Sequence, residues 1–189
     1  MHHPRPTSWR CPPLPIVFLS VLVLALAETG GALMGRYRGE INTWLSEAVR
    51  RRPEVHGLTG SRDYDAEIIP EIVFQSEAGL SFFHTHGEGM ALIVMAGGTI
   101  VSSLVALRAL RGFLHLLLAA GIMFPLGFLG YAGLIIPLGK DPAVGWAERW
   151  ILIPAGSAVM GAFALLALVL LVQSVRGFRG RQGSAPVTR

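Results

Sequence analysis

The sequence predicts an all-α membrane protein: a four-transmembrane-helix bundle with an outer loop carrying a short amphipathic helix. Three observations lead there. Of 189 residues, 52% are hydrophobic and only 15% charged, a balance foreign to soluble domains of this length. Four apolar segments, residues 14–35, 89–107, 112–138 and 151–175, each match or exceed the roughly 20 residues that carry a helix across about 30 Å of hydrocarbon. The basic residues flank these segments instead of forming a patch with aromatics. The pI of 10.0 therefore speaks of membrane topology and not of nucleic acid as a partner. Helices are required because lipid offers the backbone no hydrogen-bond partner.

Residues 1–13 form a short basic N-terminus, and residues 14–35 the first transmembrane helix. That segment has a rival reading as a signal peptide. Ile16 to Leu26 resembles a signal core, and Ala25-Leu26-Ala27 resembles a cleavage site. Against it, the apolar pattern runs past Glu28 to Met34 and restores a spanning length. Residues 36–88 then read as an extracytoplasmic loop. Within it, Ile41, Trp44, Leu45, Ala48 and Val49 fall on one helical face, which predicts an amphipathic helix lying on the outer membrane surface and ending before Pro53. From Arg62 to Glu77 the loop is acidic and interrupted by Pro70, and reads as a cap on the bundle.

Residues 89–175 supply transmembrane helices two to four. Pro125 and Pro137 should bend the third. Gly98 with Ser102, the glycines from Gly127 to Gly133, and Ser157 with Gly161 offer small residues at helix-contact spacing. Such spacing suits a tight bundle, a homo-oligomer or a subunit of a membrane complex. Residues 176–189 form a basic tail. The N-terminus (Arg5, Arg10), the turn at Arg108 and Arg111, and the tail (Arg176, Arg179, Arg181, Arg189) contain no Asp or Glu. Basic residues collect on the cytoplasmic side, so both termini are expected there, in a multi-pass protein of the plasma (inner) membrane. The single cysteine, Cys11, excludes an intrachain disulfide and any cysteine-based zinc or iron–sulfur site.

The chemistry concentrates in His84-Thr85-His86-Gly87-Glu88-Gly89-Met90, where the polar loop enters an apolar helix. Polar groups at that depth cost free energy unless paired, which makes the cluster a candidate site. On a continuous helix, His84 shares a face with Glu88, and His86 with Met90. In an extended segment, His84, His86 and Glu88 would point one way. Gly87 and Gly89 leave room for a bulky ligand to approach. Neutral imidazole ligates zinc, copper and haem iron, so His84 and His86 are the candidate ligands of a transition metal ion or a haem. Interfacial histidines bonded only to the loop are the bland alternative. Glu28, a carboxylate inside the first apolar segment, needs a partner and is expected near the imidazoles. Glu88 and Glu28 are the candidate proton-moving groups. His115 lies near the opposite membrane face and reads as a boundary histidine. No P-loop, dinucleotide fingerprint, nucleophile elbow or HExxH occurs.

From Phe82 to Val175 the chain resembles the small four-helix membrane isomerases, styrene oxide isomerase and hydroxylaminobenzene mutase. The resemblance rests on His84 and His86 before Gly89-Met90, on the short basic turn between helices two and three, and on Ile153-Pro154-Ala155-Gly156 followed by Met160-Gly161-Ala162. It implies a b-type haem with His84 or His86 as axial ligand, and ferric iron acting as a Lewis acid on an epoxide oxygen. Glu88 replaces the family's asparagine, and the long outer loop has no counterpart there.

Three functions follow as expectations. One is a Lewis-acid isomerase whose haem or metal polarises a small apolar substrate drawn from the lipid bilayer. Another is a non-enzymatic subunit or assembly factor of a larger redox or metal-handling complex. The third is a small proton-coupled transporter that uses Glu28 and the histidines as a relay. The topology is common to all three. A reporter active only in the cytoplasm should work when fused at Arg189 and fail when inserted near Gly60. Activity at Gly60 refutes the topology.

Overall fold

Four long rods, antiparallel in sequence order, make up the computed structural model, which describes the backbone over residues 8–182 and side chains over 8–175. The rods are α1 (Leu14–Arg50), α3 (Arg62–Leu104), the broken pair α4 (Arg108–Gly121) and α5 (Phe124–Leu138), and α6 (Lys140–Ala147) running through a π-helical turn (Glu148–Leu152) into α7 (Ile153–Gln182). A single turn, α2 (Pro53–His56), reverses the chain between α1 and α3. All four rods are long and apolar enough to cross a membrane, and no strand occurs among the described residues. Arg5 and the basic tail side chains from Arg176 to Arg189 lie outside the described residues.

Contacts between rods define two levels. At the basic end, the Arg10 amide donates to Ser103 Oγ (2.8 Å) and Gln173 Nε2 to the Leu104 carbonyl (3.2 Å). Twenty residues back along α3, about 30 Å at 1.5 Å per residue, His84 lies against Gly31 of α1. At that second level His86 meets Phe124 of α5, and Phe124 meets Gly156 of α7. Between the levels only Glu28, Glu88 and Arg111 carry charge, each about one turn inside its boundary. All 12 acidic residues lie on the His84 side. Phe18, Leu22, Leu92, Ile93, Leu116 and Leu168 point outward in this zone. Exposed Trp9 and Trp150 stand at its two edges. A charge-poor slab one hydrocarbon thick, apolar outside and edged by tryptophan, is what a bilayer selects.

Beyond the second level the segment read as a loop is mostly helix. α1 does not stop near Gly35; it continues to Arg50 with one distortion, at Tyr37 (φ −119°, ψ 25°). The amphipathic face forms, and protein covers it. Leu45 and Val49 are buried against Ile69, Ile72 and Val73 of α3 and Ile135 and Ile136 of α5, with Ile41 and Ala48 packed on this core. The correction has a simple cause: α3 and α5 extend past the boundary too and present matching apolar surface. Trp44, expected at the headgroups, is 63% exposed. Nor does Pro70 interrupt its segment. It sits inside α3, where burial of Ile69, Ile72 and Val73 around it offsets the roughly 3 kcal/mol a mid-helix proline costs.

The other prolines act nearer to expectation. Pro125 opens α5 and separates it from α4 at Ile122 and Met123. Pro137 does not bend the rod; it stands in the last turn, and Gly139 (φ +83°) ends the helix in a backbone conformation only glycine adopts easily. Pro154 lacks the N–H that would bond the Trp150 carbonyl, and the π turn just before it absorbs that register break. A second core fills the slab, built from Ile16, Val23, Val94, Val101, Leu114, Leu118, Ile122 and Leu166. Small residues seat the helices as expected at Gly98 (on Pro12 and Ile16), Gly127 (on Leu152) and Gly130 (on Trp146), whereas Gly133 and Gly161 face open space.

The α1–α3 seam is closest where Gly87 meets Ala27. A Cβ at Gly87 would stand 2.5 Å from the Ala27 Cβ, which is fixed to the α1 backbone and cannot turn aside. Gly89 has nothing within 4 Å of that position. Gly87→Ala should therefore destabilise the protein by about 1–3 kcal/mol through overpacking. Gly89→Ala should leave stability unchanged or raise it by up to about 1 kcal/mol through helix propensity. Thermal unfolding of the two variants in detergent checks the contrast; equal midpoints would refute the seam.

Candidate functional site

α3 is one unbroken helix through the His84–Met90 stretch, and this decides which residues meet. At 100° per residue, His84 and Glu88 share the face turned to α1, and His86 is carried to the opposite side. His84 Nδ1 lies 3.0 Å from the Ala27 carbonyl oxygen and 3.1 Å from Glu88 Oε1. Both neighbours only accept hydrogen bonds, so Nδ1 carries the proton and donates. Glu28, one residue along α1 from Ala27, completes the group: one donor atom each from Glu28, His84 and Glu88 lie within 4.8 Å of one another. The structure thus brings together Glu28, Glu88 and His84 of the residues singled out in the sequence.

Each position has a local cause. The His84 ring fits because Gly31 has no side chain: a Cβ there would stand 2.5–2.8 Å from ring atoms Cε1, Nδ1 and Nε2. Gly87 serves the same seam. The space read as room for a bulky ligand at Gly87 is filled by Ala27, and only Gly89 is open. Glu28 is exposed at the slab edge, while His84 and Glu88 are half-buried. A shared ion at about 2.0–2.2 Å from each donor needs those donors roughly 3–4 Å apart. Glu28, being exposed, is the member of the group whose side chain is least held.

His86 is elsewhere. Its Nδ1 donates to the Phe82 carbonyl of its own helix (2.9 Å), and its ring packs 4.7 Å from Phe128 and 5.8 Å from Phe124. It shares no ligand with His84. His115 lies at the basic end as expected, its Nε2 3.2 Å from Ser102 Oγ and 3.4 Å from the Gly98 carbonyl.

One turn outward from His84, α1 and α3 part around a cavity of about 440 Å³, lined by Met34, Ile41, Phe74 and Phe82 with Arg38 and Glu77. Arg38 grips Glu77 with both prongs, Nε to Oε1 at 2.8 Å and Nη2 to Oε2 at 3.2 Å. The Arg38 hydrogen bond holds the Glu77 carboxyl below its ordinary pKa. This clasp therefore contributes stability above the ordinary carboxylate range and loses it as pH falls through the lowered pKa. Nothing in local sequence pairs residues 39 apart, so the clasp went unread. The role of Gly31 did have a signal: Ala27, Gly31, Gly35 and Gly39 form a small-residue repeat at four-residue spacing.

No family model, curated protein or solved structure matches this chain.

The Gly31 contact is testable without any ligand. His84 stands at the end of a rotatable side chain, so Gly31→Ala should expel the ring and leave the fold standing. Reactivity of His84 toward diethylpyrocarbonate, resolved by peptide mass spectrometry, should rise severalfold relative to His115. Unchanged His84 reactivity in a folded Gly31→Ala protein refutes the fit.

Proposed function

We propose that this is a multi-pass membrane protein with both termini cytoplasmic, and that Glu28, His84 and Glu88 hold a divalent transition metal ion at the outer edge of its bundle. The observation that carries the reading is the convergence of two carboxylates and one imidazole from two helices at a membrane boundary. Imidazole with carboxylate suits zinc, manganese, iron and cobalt. The exposed Glu28 side leaves coordination positions open, and an open position is what separates a reactive metal site from a structural one.

The neighbouring cavity supports an enzymatic use of that ion. Its walls are apolar apart from the Arg38–Glu77 pair and Ser81, its size suits a small molecule, and it lies one turn from His84. When bound, the ion supplies Lewis-acid polarisation of a substrate oxygen. This chain's residues do the rest: the Ala27 carbonyl and Glu88 orient the imidazole, Glu28 moves a proton at the solvent edge, and Phe74 and Phe82 enclose the apolar part of the substrate. Isomerisation of a small apolar substrate is the reaction we favour. A second reading draws on the same geometry: an imidazole hydrogen-bonded to one carboxylate and near another is also a proton relay for transport. A haem, for its part, finds its best ligand in His86, whose Nδ1 is anchored and whose Nε2 lone pair is free.

Elemental analysis and metal titration of the purified full-length protein separate these readings. Near-stoichiometric metal should bind the wild type. Glu28→Gln, Glu88→Gln and His84→Ala should each weaken binding by at least about tenfold, and His86→Ala and His115→Ala should not. A Soret band lost in His86→Ala replaces the ion with a haem. Proton-coupled flux without any cofactor replaces both with the relay.

A further inference from the structure

At the basic end, remote from the metal site, a second group of residues has no assigned use. Arg10, Arg108 and Arg111 line two adjoining hollows of about 320 and 380 Å³, together with Ser102. Ser103 lines one of them, and His115 and Cys11 the other. The three guanidiniums come from three places in the chain: the segment before α1, the start of α4 and its first turn. The Arg10 amide bond to Ser103 Oγ ties the first of these to the end of α3. No carboxylate answers them. Every Asp and Glu lies on the far side of the slab, and no ion pair involves these arginines among the described residues.

The placement is costly without an anion. Arg108 and Arg111 occupy the first turn of α4, where the helix dipole already leaves positive charge and where acids, not bases, are stabilising. That turn has no acidic residue and no side-chain cap. The N-terminus of α1, beside the same hollow, likewise has neither. The positive-inside rule accounts for basic residues at this face, but not for three that converge with two serines on one concavity.

We propose that Arg10, Arg108 and Arg111 bind a phosphate group. The fork of a guanidinium matches phosphate oxygens two at a time, and the Ser102 and Ser103 hydroxyls line the same space. The group sits at the depth where phospholipid headgroups lie, so its carrier is either an anionic lipid of that leaflet or a soluble phosphate compound. The site shares no residue with the metal centre and stands independently of it.

The test uses the full-length protein in nanodiscs of phosphatidylcholine alone or of phosphatidylcholine with phosphatidylglycerol, with and without inorganic phosphate. Cys11 is the reporter, because it lines the hollow, is exposed and is the only thiol in the chain. Occupancy should slow its alkylation several-fold and raise the unfolding temperature. An effect of phosphatidylglycerol alone assigns a lipid headgroup; an effect of phosphate in phosphatidylcholine assigns a soluble ligand. The Arg108→Lys/Arg111→Lys variant keeps the charge and removes the forks. It should weaken the effect at least about tenfold, whereas diffuse attraction would survive it. Arg149→Gln, at the other edge, should change nothing. No protection by either ligand, or equal protection in the lysine variant, overturns the proposal.

Discussion

The close approach of α1 to α3 is the constraint on which the rest depends. Gly87 against Ala27 and Gly31 against the His84 ring allow two helices to run nearly backbone to backbone at one edge of the slab. In lipid there is little hydrophobic drive between helices, so contact of this kind, through small residues, is what holds them. The same contact brings the Ala27 carbonyl within hydrogen-bonding distance of His84 and sets Glu28 beside Glu88. Separate the helices and the His84–Glu88 pair, which lies within α3, loses both the Ala27 carbonyl and Glu28. Site and seam are therefore one feature, built from glycines rather than from the groups that do chemistry.

A second constraint is the sorting of charge. All acidic residues lie toward one end, and the described arginines at the other end have no acid to answer them. Between the two, only Glu28, Glu88 and Arg111 intrude, each by about a turn. All three intruding residues belong to clusters, one of two carboxylates and an imidazole at the His84 level and one of arginines at the Arg10 level. The protein is thus asymmetric in chemistry as well as in shape: one edge suits cations, the other suits anions.

Much of this was legible in the sequence, and the limits have physical causes. The four apolar segments, the break at Pro125 and the nearness of Glu28 to an imidazole follow from hydropathy, proline chemistry and the cost of a lone carboxylate. The choice between His84 and His86 was not legible. It turns on whether residues 84–90 are helical or extended, and a polar stretch with two glycines satisfies either pattern. The outer extension was misread for a related reason. The amphipathic face from Ile41 to Val49 announces that something covers it, but not whether the cover is lipid or protein. Only the matching faces of α3 and α5, distant in sequence, decide that. Arg38 with Glu77 was invisible for the same want of long-range information.

The two hydrophobic cores meet different solvents, and this gives the molecule two kinds of stability. The core around Leu45, Val49, Ile72 and Ile135 projects beyond the slab, where a bilayer spanning the slab would leave it in water. There the hydrophobic effect works in full, with its large heat capacity and its weakening on cooling and in urea. In a bilayer the core around Val94, Leu114 and Leu118 would lie among acyl chains as apolar as itself, and would answer instead to how well lipid tails or detergent pack around it. The Glu28–His84–Glu88 cluster lies at the junction between the two. Cold or denaturant reaches it from one side, and a change of lipid from the other.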